Sequence, residues 1–259
     1  MTIQFLLISF IASALGGVSG IGGGVIIKPA LDSFTSLNVS TISFLSGCTV
    51  LSMTIVTLYR NRKLEIKLHK RISSLLAFGG ILGGLAGKYL FDVIMETASS
   101  EASVGALQSA VLGIMVFGVL LFLIFKRHLR TFHLEHALPI VLVGLLLGSV
   151  ASFLGIGGGP INIALLYLLF SMNSKEAALN SIFIIFLSQS ASLIFTAARS
   201  LIPSFDPLIL AMMITGGISG ALLGSFVTRK VSLRGVDTIF AAVLVIILGM
   251  SAANFISLV

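Results

Sequence analysis

Gly20-Ile21-Gly22-Gly23-Gly24 and Gly155-Ile156-Gly157-Gly158-Gly159 are the same five residues, 135 positions apart in a chain of 259. Each copy follows an apolar stretch, Ile3 to Ser19 or Ala137 to Leu154, and precedes a short one, Val25 to Leu37 or Ile161 to Phe170. A small-residue-rich apolar segment and two more come after each. The order of elements repeats with the motif, which marks an internal duplication. The reading gives a first repeat at residues 1–125, a basic linker at 126–136 and a second repeat at 137–259.

The material of these repeats is not that of a water-soluble protein. Hydrophobic residues make up 57% of the chain and charged ones 10%, with a mean hydropathy of +1.14, whereas soluble domains carry about 25% charge. A helix needs about 20 apolar residues to cross a hydrocarbon core of roughly 30 Å. Runs such as Val111 to Phe125 are apolar on every side and lack strand alternation, so they read as helices rather than barrel strands. The expected fold is an all-α polytopic membrane protein, each half carrying a glycine-tipped re-entrant or broken helix followed by three transmembrane helices. The 27 glycines fit helices that approach closely in lipid.

The single cysteine, Cys48, rules out an internal disulfide, a CxxC pair and a cysteine-built metal site, and is expected to be a small buried residue. No basic region precedes the apolar run at Met1 to Gly17, so it reads as a retained membrane segment rather than a cleaved signal. The net charge of +7 sits in short loops beside apolar segments. That distribution points to the cytoplasmic side of a cell membrane and its lipids, with no nucleic acid as partner.

Counting those charges separates two topologies. If each GIGGG only kinks a long helix, eight spans leave ten Lys/Arg inside and four outside. If each is the tip of a hairpin that returns to its own side, each half has three crossings and the second is inverted. Thirteen Lys/Arg are then inside against Arg199 alone outside. The positive-inside rule favours six spans, two opposed re-entrant hairpins and both chain ends outside. The tension is Ile3 to Ser19, which at about 25 Å by helical rise is nearly long enough to cross alone.

Non-helical backbone at membrane depth is tolerated only where protein buries it or a watery cavity faces it. Helices starting just after each cluster, at Val25 and Ile161, would present unpaired N–H groups and a positive dipole end. Two such ends meeting near the midplane make an anion site from Gly22, Gly23, Gly24, Gly157, Gly158 and Gly159. The competing reading is that the glycines only let helices cross closely. On the helix after each hairpin, Ser43, Ser46 and Thr49 begin to share a face, as do Ser181, Ser188 and Ser192, with Asn180 and Gln189 beside them. Ser43, Asn180 and Ser181 lie nearest the motifs and are the candidate ligands, although such groups also bond between membrane helices.

Lys28 stands one turn past Gly24, where a charge without a partner is costly. It reads as a counter-charge for the anion or as a side chain snorkelling outward. Lys88 with Asp92 reads as an interfacial or i,i+4 pair, and His133, Glu135 and His136 as a solvated loop.

The paired GIGGG motifs, each with Pro29 or Pro160 close behind, and the two-fold repeat over nearly the whole chain resemble the TauE/SafE sulfite exporter family of anion permeases. The resemblance implies transport of small sulfur-containing anions such as sulfite, sulfonates, sulfoacetate or thiosulfate across a prokaryotic cytoplasmic membrane. Lys28 departs from the family pattern, which usually has an apolar residue before this proline.

No Asp or Glu falls in the middle of an apolar segment and there is no P-loop, so neither a carboxylate proton relay nor ATP hydrolysis is supported. A coupling ion, proton or sodium, is left open, as is a homodimer. The four His lie in basic loops without an HExxH, which argues against an enzyme, and no cofactor is expected. The sequence therefore points to a permease working by alternating access around the glycine-lined centre. The alternatives are an anion channel and a non-transporting membrane partner.

Overall fold

The computed structural model describes residues 2–35, 37–62, 66, 68–97, 100–154, 156 and 159–258. Among them there are ten α-helices and no strand: α1 (Thr2–Ser19), α2 (Gly24–Phe34), α3 (Val39–Asn61), α4 (Lys70–Thr97), α5 (Glu101–Phe125), α6 (Ala137–Phe153), α7 (Pro160–Phe170), α8 (Ser174–Ala198), α9 (Pro207–Lys230) and α10 (Leu233–Leu258). Six of these, α3, α4, α5, α8, α9 and α10, are long and apolar enough to cross a membrane, while α1, α6 and α7 are shorter apolar helices. The chain is an all-α polytopic membrane protein.

Local chemistry sets the helix starts. Ser100 caps α5 by accepting from Ser103 N at 3.2 Å. Asn173 and Glu176 form a reciprocal capping box on α8, and Asp206 accepts from Leu208 N at 2.8 Å with Pro207 at the first position of α9. Such caps satisfy the donors that every helix start leaves open.

Two glycine ribs organise the packing. Cβ atoms added at Gly79, Gly83 and Gly87 of α4 would fall 2.1, 1.9 and 2.2 Å from the carbonyl oxygens of Val141, Leu145 and Ser149 on α6. Those added at Gly216, Gly220 and Gly224 of α9 would fall 2.5, 2.2 and 2.6 Å from the oxygens of Leu6, Phe10 and Ala14 on α1. Only glycine permits backbones to lie this close. Both sets rise together in number, so α6 runs parallel to α4 and α1 parallel to α9. The carbonyls used on α1 and α6 are again 135 residues apart. Each half thus lends its first helix to the fourth helix of the other, and α5 packs on α10.

The short helices turn back from these pairs. The chain reverses between α1 and α2 through Gly20 and Gly22, at φ +78° and +80°, a region that glycine enters without a steric penalty. Gly20 also has no room for a Cβ, which would lie 2.2 Å from Ala178 Cα. The far end of α2 meets the end of α10, where Asn254 Nδ2 donates to Pro29 O at 3.2 Å. The far end of α7 meets the linker, where the amides of Phe132 and Leu134 donate to Leu168 O and Leu169 O at 2.7 and 3.0 Å.

Two expectations need correction. Lys88 does not pair with Asp92: its Nζ donates to Thr196 Oγ1 at 3.1 Å, because α8 offers an acceptor beside this end of α4. The salt bridge found among the described residues joins Lys126 to Asp237 at 2.7 Å. Cys48 is only half-buried.

Candidate functional site

A cavity of about 530 Å³ enters the molecule at the end of the bundle where α4 and α8 finish and α3 starts. Asp92, Glu96 and Leu201 at its mouth are exposed. It narrows past Lys88, Phe91, Ser192 and Thr196 and ends at Gln108, Asn162, Ile184, Ile185, Ser188 and Gln189, about halfway along α4 where Gly80 and Gly148 meet. Its size is that of a small-molecule site, and its mixture of apolar wall and a few convergent polar groups is the usual composition of one.

The floor carries the informative chemistry. Asn162 lies in the first turn of α7, is 2% exposed, lines the cavity, and its Oδ1 has no hydrogen-bond partner among the described residues. A buried amide left in that state costs about 1–3 kcal/mol, so the group is suited to a ligand or to water. Gln108 projects from α5, its Nε2 donating to Phe153 O and its Oε1 accepting from Lys28 Nζ at 2.8 Å. Lys28 also donates to Leu154 O at 2.7 Å and is 4% exposed. The buried cation is therefore one side chain behind the cavity wall, and it also supplies donors to the carbonyl end of α6.

The charge at the mouth is different. Lys88, Asp92 and Glu96 all line the cavity there, so acids outnumber the base. The floor combines the buried Lys28 and the N-terminus of α7 with the carbonyl end of α6, to which Lys28 and Gln108 donate.

The predicted residues are distributed as follows. Ser43 lines the cavity, with Ser188, Gln189 and Ser192 opposite. Gly22, Gly23 and Gly24 are buried and are not among the residues lining it. The Gly23 amide donates to Met53 Sδ at 3.3 Å, so a thioether occupies the start of α2. The two motifs do meet: a Cβ at Gly24 would lie 2.6 Å from Ile156 O, and one at Gly159 would lie 3.2 Å from Val25 Cγ2. Gly157 and Gly158 lie outside the described residues. Lys28 neither snorkels nor lines the cavity; its bonds are those to Gln108 and Leu154. Asn180 accepts from His69 N at 2.9 Å and Ser73 Oγ at 2.6 Å and donates to Glu176 O at 2.8 Å, joining the starts of α4 and α8. Ser181 is fully buried, and its hydroxyl has no partner among the described residues.

Sequence reasoning passed over Gln108 and Asn162. The available signal was an amide isolated in an apolar segment, which in a membrane protein marks either a helix contact or a pathway.

The model of the family described as Sulfite exporter TauE/SafE matches residues 5–251. The chain is 25% identical over 258 residues to the "Probable membrane transporter protein YjnA" of Bacillus subtilis strain 168, covering 95% of this chain and 98% of the relative. It is 26% identical over 274 residues to the "Probable membrane transporter protein YunE" of the same organism, covering 93% and 94%. No solved structure matches it. A match over nearly all of an apolar chain with six helices long enough to cross a membrane, whose two glycine motifs pack together, leads to one assignment: this protein is a multi-pass membrane transporter and belongs to the TauE/SafE sulfite exporter family.

Proposed function

We propose that the protein is a permease for small anions, with sulfur oxyanions and organosulfonates of the sulfite, sulfoacetate and thiosulfate class as substrates. The observation that carries this reading is the floor of the 530 Å³ cavity, where Asn162, its Oδ1 without a partner among the described residues, stands in the first turn of α7 beside Gln108, which the buried Lys28 holds from behind. Each of these substrates presents a sulfur head whose three oxygens accept hydrogen bonds. Asn162 through Nδ2, Gln189, Ser43 and Ser188 are the donors we assign to it, the free Asn162 Oδ1 being left for a water or a protonated substrate oxygen, with Lys28 acting through Gln108 as a positioning charge. The apolar walls at Phe44, Phe91 and Leu193 leave room for a carbon skeleton behind that head.

The glycine clusters then serve as the joints that bring the two broken helices together. The parallel pairs α1–α9 and α4–α6, with α2 and α7 returning to the ends from which α1 and α6 set out, support two opposed re-entrant hairpins and an inverted repeat. In that arrangement the cavity opens to the outside, and Arg60, Lys126, Lys175 and Arg229 face the cytoplasm. Below the floor, Met53 is buried and meets the Gly23 amide. This seal favours a carrier that alternates its access over an open channel.

The test is counterflow of radiolabelled sulfite, sulfoacetate and thiosulfate into proteoliposomes, with Asn162→Leu as the variant. Saturable exchange of at least one of these that Asn162→Leu abolishes, while the purified variant still elutes as a monodisperse particle, is the expected result. Undiminished exchange by Asn162→Leu would remove the floor from the mechanism.

A further inference from the structure

The end of the bundle opposite the cavity contains the counterparts of the cavity's own lining. Gly148, Ser192 and Thr196 line the cavity; 135 residues before them stand Ser13, Thr57 and Asn61. Lys88 and Phe91 also line it, and Ser225 and Thr228 stand 137 residues after them, the same shift that separates the two glycine ribs. These counterparts lie on α1, α3 and α9, three helices in mutual contact. They form a seam rather than a void: a Cβ at Gly17 would lie 3.7 Å from Thr57 Oγ1, and one at Gly217 would lie 3.6 Å from Ser13 Oγ.

This seam is polar and closely packed, and among the described residues the counterpart side chains make no bond across it. Ser13, Thr57, Asn61, Ser225 and Thr228 are each 5% exposed or less. Thr57 and Thr228 direct their hydroxyls to carbonyls of their own helices, Met53 O and Gly224 O, both at 2.9 Å. Ser13 Oγ, Asn61 Oδ1 and Ser225 Oγ have no partner among the described residues. Buried polar atoms are nearly always paired in a contact that stays closed, and lipid makes the unpaired state costlier. Three such atoms on one interface, none of them bonding across it, fit a surface that is hydrated in another conformation. At the basic end the seam is covered by Arg229, whose guanidinium donates to Arg60 O.

We propose that the α1–α3–α9 seam is a second vestibule for the same small anionic solute, closed in this conformation, through which it leaves toward the cytoplasm once the outer cavity shuts. The inference rests on the permease reading above. Ser13, Asn61 and Ser225 line the exit, and Arg229 is its latch.

Two measurements in a Cys48→Ala background test it. The double variant Gly17→Cys/Thr57→Cys, oxidised across the seam, should lose counterflow of sulfite, sulfoacetate or thiosulfate and regain it on reduction. In inside-out vesicles, Ser225→Cys should react with a membrane-impermeant maleimide at roughly 0.1–10% of the rate of the exposed Ser232→Cys, the population range of a minor conformer, and should not react from the outside. Fully cross-linked protein with undiminished counterflow overturns the proposal, as does Ser225→Cys that stays unmodified from the inside. Labelling from the inside in a parent that moves none of the three anions upholds the vestibule and refutes the substrate class instead.

Discussion

Replacing Gln108 by leucine tests whether Lys28 is held as a charge. The substitution keeps the volume of the side chain and removes both of its polar ends. Lys28 Nζ then loses its 2.8 Å acceptor and keeps only Leu154 O, while Phe153 O loses the donor it has in Gln108 Nε2. A hydrogen bond to a charged group is worth about 1.5–3 kcal/mol and a stranded buried acceptor costs about 1–3 kcal/mol. Together these give a destabilisation of roughly 2.5–6 kcal/mol, or about 5–24 °C at the 2–4 °C per kcal/mol expected for a chain of this size. The sign of the second step is the sharper test. Adding Lys28→Met to Gln108→Leu removes the under-solvated charge, so the double variant should melt above the single, with a coupling of about 0.5–3 kcal/mol. Loss of the monodisperse peak on size exclusion after graded heating in detergent measures both. If Lys28→Met is equally destabilising with and without Gln108, the two side chains are not partners and the account of the cavity floor is wrong.

Two further outcomes follow from the glycines. Gly83→Ala, whose Cβ would lie 1.9 Å from Leu145 O, should abolish the monodisperse peak, whereas Gly84→Ala, with nothing within 4 Å, should melt at or slightly above the parent because glycine inside a helix costs about 0.5–1 kcal/mol. Gly22→Ala should destabilise by about 1–2 kcal/mol, the penalty of a left-handed conformation for an L-residue, since Gly22 has φ +80° and Ile185 Cδ1 stands 3.1 Å from the added carbon; an unchanged melting temperature would refute the turn geometry.

The helices and breaks were legible in the sequence because hydropathy and consecutive glycines act locally. The ribs on α4 and α9 were not, since a stripe of small residues states that something lies close without naming it. Gly83 could not announce Leu145, nor Gly220 announce Phe10. The candidate ligands were legible only in part, for a similar reason. Ser43, Ser188 and Gln189 were recognised by helical spacing and do line the cavity. Asn180, adjacent on the same helix, spends its amide on His69 and Ser73, partners more than a hundred residues away that no periodicity reveals. Lys28 was singled out correctly as a charge that needs an explanation. Its two acceptors come from α5 and the end of α6, and only the tertiary fold brings them to it.

Because each half beds its opening helix on the other's glycine rib, no rigid body in this molecule coincides with a half of its sequence. A chain severed between Lys126 and His136 would yield two pieces that each lack one wall of their own interior and expose a bare backbone groove to lipid. Such pieces should assemble only when made together. Tilting of one body against the other would carry a helix from the opposite half of the sequence with it, so the glycine ribs would bear the load of such a motion.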